Sequence, residues 1–213
     1  MTVAAMISMN VILFGSITTH LLYAQYDATT LIKKGNTLFY QGNYTQAIQY
    51  YDKALAIDPN NKLALANKGN ALVQLGNYTQ SIQYYDKALA IDPNIEEAPT
   101  GKGTALYGLG NYIQALQYFN KALAIDPNDK VALSGKGASL NSIGNYSQAI
   151  PYLDKALGID PNYKEALDNK GITLYGLDNY TQALQYFNKA LAIDPNYKDA
   201  FNNKQIVLSK VKK

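Results

Sequence analysis

The chain has 213 residues, a hydrophobic fraction of 47% and a charged fraction of only 16%, which is typical of a folded protein with a polar, weakly charged surface. Its formal net charge is +3 and all 19 basic residues are lysines, so the bidentate guanidinium contacts that favour nucleic-acid binding are missing. The absence of cysteine and the single histidine, His20, argue against thiol chemistry, histidine-based metal sites and catalytic triads, and we expect no cofactor and no metal.

Residues 1–24 carry no Asp, Glu, Lys or Arg and contain an apolar run at 11–14. The segment is long enough to span a membrane, and it has the apolar centre and small final residue, Ala24, of an export signal, although the basic start is missing. Three interpretations stay open: a removable export signal, an uncleaved anchor, and a soluble helix or misassigned start, since Met6 and Met9 are alternative initiators. We expect an exported or membrane-anchored protein, with a cytoplasmic one as the alternative.

Two clues to the compartment conflict. Lys33 and Lys34 follow the segment, and behind an uncleaved anchor they would hold the rest of the chain in the cytoplasm. Four Asn-x-Ser/Thr motifs instead favour export, because they are acceptors for N-glycosylation. Each also has a structural interpretation as a turn asparagine, a packing tyrosine and a hydroxyl that starts a helix, and duplication of one motif accounts for all four. The four motifs begin at Asn43, Asn77, Asn145 and Asn179.

The segment from Gly42 to Asn60 returns almost unchanged four more times, at intervals of 34 residues. A fixed period of this length is the signature of a solenoid, in which each unit buries its apolar face against its neighbours. Residues 198–213 repeat the first part of a unit once more, with Phe201 and Leu208 expected to face inward, and are interpreted as a capping helix. The five predicted units are 28–61, 62–95, 96–129, 130–163 and 164–197.

Within one unit the apolar spacing predicts two antiparallel helices of about 13 residues. Gly42 follows the first helix, where a left-handed backbone ends it, and Thr45 can cap the second helix. The second helix should end at Asp58, because the proline that follows disfavours helical geometry in the residue before it. In the fifth unit Asp178 replaces the turn glycine, and we predict that its φ is positive.

Two columns of residues predict how the helices pack. A glycine within each first helix indicates a close approach of the second helix, opposite its small residue such as Ala47, and bulk at the glycine should clash. A large residue in each second helix should fill the space between units. The glycines are Gly35, Gly69, Gly103, Gly137 and Gly171, and the large residues are Tyr51, Tyr85, Phe119, Leu153 and Phe187.

The period, the paired helices, the first-helix glycine, the Ala-aromatic-Ala pattern of the second helix and the closing proline resemble the tetratricopeptide repeat. The resemblance implies an all-α, right-handed α-solenoid of five 34-residue helix-turn-helix repeats plus a C-terminal capping helix. The chain departs from the family pattern in the first helix, where Leu stands for a large aromatic and Lys for a leucine. We expect the lysines to lay their methylenes on apolar surface with the ammonium in water. They are Lys34, Lys68, Lys102, Lys136 and Lys170.

The third and fourth units carry two prolines and several extra glycines. Pro99 falls at the start of a first helix, and Pro151 falls in about the first turn of a second helix. Proline is tolerated only early in a helix, and glycine weakens helix interiors. We therefore expect the middle of the array to be its loosest part.

In the family that the chain resembles, the first helices line an inner groove, which is the default binding site. Asparagine and glutamine can pair with a peptide backbone, aromatic rings can hold apolar anchors, and the acidic side chains would favour a basic end. The predicted partner-binding groove comprises Asn36, Phe39, Tyr40, Asn70, Gln74, Tyr107, Asn141, Glu165, Asp168 and Tyr175. Some relatives clamp a chaperone's terminal carboxylate with Lys, Arg and Asn, but only Asn36 and Asn67 stand at the matching positions here, so that role is not expected.

These observations favour a non-catalytic scaffold that binds a peptide or partner protein in its groove. Lys102 and Lys136 lie between glycines, but neither has the spacing or the strand context of a phosphate-binding loop. Membrane contact through residues 1–24 is an open possibility. The alternative function is a structural element that associates end to end, because the first unit has no polar cap ahead of it if residues 1–24 are removed.

Overall fold

The computed structural model describes residues 27–211, in which all regular structure is helical. The helices form two compact units, one reaching Ile95 and the other starting at Glu96. In chain order the first unit contains α1 (residues 27–40), α2 (Tyr44–Ile57), α3 (Lys62–Gln74) and α4 (Tyr78–Ile91). The second contains α5 (Glu97–Gly108), α6 (Tyr112–Ile125), α7 (Lys130–Ser142), α8 (Tyr146–Ile159), α9 (Lys164–Gly176), α10 (Tyr180–Ile193) and α11 (Lys198–Val211).

Each pair of helices is joined by a tight turn with one residue in the left-handed region. Gly42 has φ 79°, its N–H donates to the Phe39 carbonyl at 2.9 Å, and the Asn43 N–H donates to the Leu38 carbonyl at 2.8 Å. Crossed bonds of this kind satisfy the last carbonyls of the first helix. Asp178 has φ 58°, so the prediction for the fifth turn is confirmed.

In each pair an asparagine follows the turn glycine or aspartate, and the second helix begins at the tyrosine directly after that asparagine. The residue that flanks α2 is Asn43 and the helix starts at Tyr44, so Thr45 lies inside the first turn. The prediction that Thr45 caps this helix is therefore wrong, because the Gly-Asn turn starts the helix two residues earlier than a Thr45 cap would. The end is as predicted: Asp58 is extended, with φ −130° and ψ 92°, before the proline.

The paired helices are antiparallel and approach most closely at the first-helix glycine. A Cβ atom added to Gly69 would lie 2.7 Å from the Tyr85 ring, and one added to Gly171 would lie 2.5 Å from the Phe187 ring. The predicted clash is thus confirmed, but its partner is the large second-helix residue rather than the small one expected. The rings of Tyr85 and Phe187 are buried. The glycines leave the space that these rings fill.

In the second unit, successive helix pairs come closest to each other through their first helices. The backbones of the first helices α5, α7, α9 and α11 approach one another in sequence, whereas the backbones of the second helices α6, α8 and α10 come close only to first helices. Within this unit the first helices therefore form the inner side, as the family resemblance implied.

Helix α11 packs on α9 and α10 through Ala200 and Val207, which are both buried. The prediction that Phe201 faces inward is wrong, since 52% of its surface is exposed. Its equivalent in α9, Leu167, is 3% exposed and belongs to a core cluster that includes Phe187 and Ala190 of the paired second helix α10. In the described residues α11 has no paired second helix, so this side of it stays open.

Proline occurs in two helices of the second unit. Pro99 is the third residue of α5, where its missing N–H has no intrahelical acceptor in any case. Pro151 is the sixth residue of α8, in the second turn rather than the first. Among residues 27–211 no helix has the length and apolarity needed to cross a bilayer, and the segment 1–24 lies outside the described residues.

Candidate functional site

The exposed and half-buried side chains of α1 and α3, and separately of α5, α7 and α9, are here named the first-helix surface. In the first unit its centre is Asn36, whose Oδ1 accepts the Tyr51 hydroxyl at 2.8 Å and the Asn67 amide at 3.0 Å. The Oδ1 of Asn70 accepts the Tyr85 hydroxyl at 2.6 Å. Burial raises the pKa of Tyr51 to about 12 and that of Tyr85 further, so both hydroxyls stay protonated donors.

These bonds orient two amides on the first-helix surface. The oxygens of Asn36 and Asn70 are occupied, while within the described part of the chain their Nδ2 groups donate to no other residue. Each amide therefore presents N–H donors on a half-buried side chain held in place by a buried ring. Such donors match the carbonyl oxygens of an extended peptide.

Aromatic side chains lie beside these amides at the turn end of α1. Tyr40 is 86% exposed, and its ring meets that of Phe39 edge to face at a centroid distance of 5.7 Å. Phe39 in turn contacts Tyr44 at 5.3 Å. Gln74 is exposed at the end of α3. The first unit thus combines an apolar platform with amide donors.

The second unit places half-buried tyrosines at the position that Phe39 occupies in the first. The Tyr107 ring lies 5.3 Å from that of Tyr112, and the Tyr175 ring lies 5.8 Å from that of Tyr180. The Ser142 hydroxyl donates to the Tyr107 oxygen at a long 3.4 Å. Glu165 is half-buried at the start of α9.

Two residues of the predicted groove are covered by neighbouring helices. Asn141 is 7% exposed, its Nδ2 donates to the Asn169 carbonyl at 3.0 Å, and its Oδ1 accepts the Thr173 hydroxyl at 2.9 Å. Asp168 is 5% exposed and accepts the Asn203 amide at 3.0 Å. Burial raises the pKa of Asp168 to about 6. In this structure both side chains hold adjacent first helices together.

The lysine column behaves differently from the prediction. Lys68 is 7% exposed, and its ammonium contacts Asp52 and donates to the Tyr84 hydroxyl at 2.7 Å. Lys170 is likewise buried and paired with Asp154. The expectation that these ammonium groups lie in water is therefore wrong at both positions. The ion pair and phenol contacts outweigh burial and raise the pKa of Lys68.

A sequence signal for this arrangement exists. Four lysines of the column have a tyrosine 16 residues later in the chain and Asp or Asn 16 residues earlier: Lys68, Lys102, Lys136 and Lys170. Lys136 has Asn120 at the earlier position, and its ammonium lies 4.0 Å above the centre of the Tyr152 ring. Lys68 and Lys170 therefore link neighbouring repeats, whereas Lys34, which has Thr18 at the earlier position, is exposed.

The repeats differ mainly on the first-helix surface. Helices α2 and α4 differ at a single position, where Ser81 replaces Ala47. By contrast the first helices α3 and α7 differ at seven of 13 positions, and α5 and α9 differ at five of the 12 positions they share. Variation between repeats is therefore greater in the first helices.

In residues 27–211 no group of three His, Cys, Asp or Glu side chains could hold a metal ion.

Comparison with protein families gives a consistent result over most of the chain. Three family models, each described as a tetratricopeptide repeat, match residues 32–94, 100–129 and 129–196. The chain belongs to the tetratricopeptide repeat (TPR) family. The predicted family and the all-α repeat fold are confirmed.

Solved structures with this fold include other TPR proteins. The chain is similar to YrrB, described as a TPR protein with an unusual peptide-binding site, at 27% identity over 88% of this chain and 97% of YrrB, with a TM-score of 0.62. It is similar to MamA at 25% identity over 79% of this chain and 92% of MamA, with a TM-score of 0.62. A TPR protein from Thermus thermophilus shares the fold at 19% identity, over 85% of this chain and 98% of that protein, with a TM-score of 0.71.

No curated protein matches this chain significantly. Membership of the TPR family and these structural relatives make the chain a protein-interaction scaffold.

Proposed function

We propose that this TPR chain is a non-catalytic scaffold that binds an extended peptide segment of a partner protein on its first-helix surface. The observation that carries the proposal is the exposure of Tyr40, at 86%, next to amides whose donors are oriented and free for a partner. Exposed aromatic rings are the side chains that most often dominate binding energy at protein interfaces.

Three further observations support it. The differences between repeats are concentrated in the first helices, where a partner would be distinguished. YrrB, at 27% identity, is described as having a peptide-binding site. The sequence offers no cysteine and one histidine, so thiol nucleophiles and histidine-based triads are disfavoured.

The test uses a displayed library of random peptides selected on the immobilised full chain. Affinities of the selected peptides are then measured by fluorescence anisotropy for the wild type, for Tyr40→Ala, and for the double variant Tyr107→Ala with Tyr175→Ala. We expect at least one of these two variants to bind its peptides about tenfold more weakly than the wild type does, or weaker still, because truncating an aromatic hot-spot residue has an effect of this size.

Ile193→Ala is the matched control, because Ile193 is 42% exposed at the far end of the second helix α10. It should bind like the wild type. Peptide affinities that are unchanged in both first-helix variants, or that fall as much in Ile193→Ala, would contradict the proposal.

A second candidate function, end-to-end self-association, is favoured by α11. Phe201 of this helix is 52% exposed, whereas Leu167, at the equivalent position of α9, is buried. The exposed ring is an apolar surface that a second copy of the chain could cover. Sedimentation velocity of the full chain and of Phe201→Ser, over a wide range of concentrations, tests it. The control is Ile91→Ser, at a residue that is 44% exposed at the end of α4. A larger species that disappears in Phe201→Ser but persists in Ile91→Ser supports assembly through α11, and a monomer at every concentration excludes it.

A further inference from the structure

Four turns in the two units share an asparagine followed by tyrosine and a hydroxyl residue. We infer that these asparagines are acceptors for N-linked glycans, and that the chain is therefore exported into a compartment where such glycans are attached. The inference is independent of the proposed peptide binding. The four acceptors are Asn43, Asn77, Asn145 and Asn179.

The asparagine side chains are accessible at the turns. Asn43, Asn77 and Asn145 are exposed, and none of them makes the side-chain cap bond that is common at a helix start. The half-buried Asn179 accepts the Gln182 N–H at 3.4 Å through Oδ1, so the Nδ2 that would carry the glycan takes no part in that bond.

The space around the turns is open. A Cβ atom added to Gly42, Gly76 or Gly144, each directly before an acceptor, would meet no atom within 4 Å. A glycan is a bulky polar group that requires a surface position of this kind. The turn backbone beside these three acceptors is therefore uncovered, as a surface modification requires.

The hydroxyl of the motif has no structural role in the described residues. Thr45, Thr79, Ser147 and Thr181 are all exposed, and no hydrogen bond of their side chains occurs within residues 27–211. Helix α6 begins at Tyr112, the equivalent position, although Ile113 replaces the hydroxyl residue. The hydroxyl is thus unnecessary for starting the helix, which removes the structural interpretation of the motif's third residue.

The third repeat provides a matched non-acceptor. Asn111 has φ −83° and ψ 59°, against −83° and 57° for Asn77, and it is equally exposed and followed by tyrosine. It differs in lacking the hydroxyl two residues later, where Ile113 is 60% exposed. The motif requires that hydroxyl, so Asn111 should stay unmodified.

The co-reactant is a lipid-linked oligosaccharide, in which the anomeric carbon of the first sugar is bonded to a lipid phosphate. In the transfer the asparagine Nδ2 forms a bond to the anomeric carbon and gives up one proton. The bond from that carbon to the phosphate oxygen breaks, and the lipid phosphate leaves with the electron pair. The reaction is a group transfer without oxidation or reduction, and it is carried out by a transferase that recognises the motif.

The experiment is intact-mass measurement and glycopeptide mapping of the full chain, purified from the cells that naturally make it. The wild type should carry glycans at the four motif asparagines and none at Asn111. Thr79→Val should lose the glycan on Asn77 alone, and Thr79→Ser should keep it. Ile113→Thr should gain a fifth glycan, on Asn111.

Circular dichroism checks that the variants fold. Each should fold like the wild type, because every substitution lies at an exposed position of a second helix. An unmodified wild-type chain would overturn the inference. Glycan that remains on Asn77 in Thr79→Val, or that is already present on Asn111 in the wild type, would also overturn it, because the modification would then not follow the motif.

Discussion

At the scale of single residues, the turns between paired helices depend on a left-handed backbone. Four turns use glycine with φ between 75° and 79°, and the fifth uses Asp178 with φ 58°. A side chain in this region costs roughly 1–2 kcal/mol unless it is Asn or Asp, whose short polar group bonds locally. Asp178 fits that exception, because its carboxylate accepts the Tyr180 hydroxyl at 2.5 Å.

Gly76→Ala should therefore lower the free energy of unfolding by about 1–2 kcal/mol, although the added methyl group meets nothing within 4 Å. Gly158→Ala is the matched comparison, because Gly158 is helical, has open space around it and stands where the other repeats have alanine. It should raise the free energy of unfolding by about 0.5–1 kcal/mol. Urea denaturation measures both, and equal effects would contradict the backbone explanation.

Asp168 should make stability depend on pH in the direction opposite to a surface carboxylate. Burial, opposed by the Asn203 amide and assisted by the charges of Asp199 and Glu165, raises its pKa to about 6. The pKa of the unfolded carboxyl is about 3.9, so the folded chain binds the proton more tightly. Stability contributed at this site is present at low pH and is lost as pH rises from about 4 to 6.

The wild type should thus unfold at a higher temperature at pH 5 than at pH 7. Asp168→Asn should remove most of this difference and stabilise the chain at pH 7 by about 1–3 kcal/mol, since its amide oxygen can still accept Asn203. The paired carboxylates Asp92, Asp160 and Asp194 have lowered pKa values and stay ionised over this range. A wild type that is more stable at pH 7, with Asp168→Asn behaving identically, would contradict the assignment.

At the scale of helices, α8 contains the one interior proline of the described residues. Pro151 lacks the N–H that a sixth helical residue donates, and the other four repeats have glutamine there. Pro151→Gln should stabilise the chain by up to about 3 kcal/mol and slow amide exchange in α8.

Hydrogen exchange on the wild type tests the wider prediction that the third and fourth repeats are the loosest. The glycine-rich helices α5 and α7 and the proline-containing α8 should exchange faster than α9 and α10. Greater protection in α5 and α8 than in any other helix would show that the prediction is wrong.

The helices themselves were predictable, because their ends are set by local chemistry. Gly42 and Asp58-Pro59 mark where the paired helices stop; the Asp-Pro pair repeats at each period, and the glycine repeats except at Asp178. Thr45 was misjudged because the turn, not the hydroxyl, decides where α2 begins. The burial of Lys68 was missed because its partner Asp52 lies in the preceding repeat, 16 residues earlier, which is outside the spacing at which residues of one helix meet.

The candidate site was only partly predictable for the same reason. Position along a first helix indicates which side a residue faces, and it identified Tyr40 and Gln74, which are exposed. It does not indicate what the next helix covers. Asn141 and Asp168 were assigned to the groove by their helix positions, but they bond to residues of the next first helices, α9 and α11.

At the scale of the whole molecule, stability should spread only between adjacent repeats. Phe187 is 1% exposed, and its core cluster contains residues of α9, α10 and α11. Phe187→Ala should cost about 3–5 kcal/mol. The loss should appear as faster exchange in α9 to α11 and much less in α2 to α4, as in a stack with nearest-neighbour coupling. Uniformly faster exchange would indicate global cooperativity.

The arrangement of α5 to α11 also determines how this unit can deform. Since the backbones of first helices approach each other from pair to pair while those of second helices do not, the first-helix line should resist stretching more than the opposite side. We expect changes of curvature to be taken up mainly by the more widely spaced second helices. A segment held on the first-helix surface, as proposed above, would then meet a unit whose radius adjusts to its width.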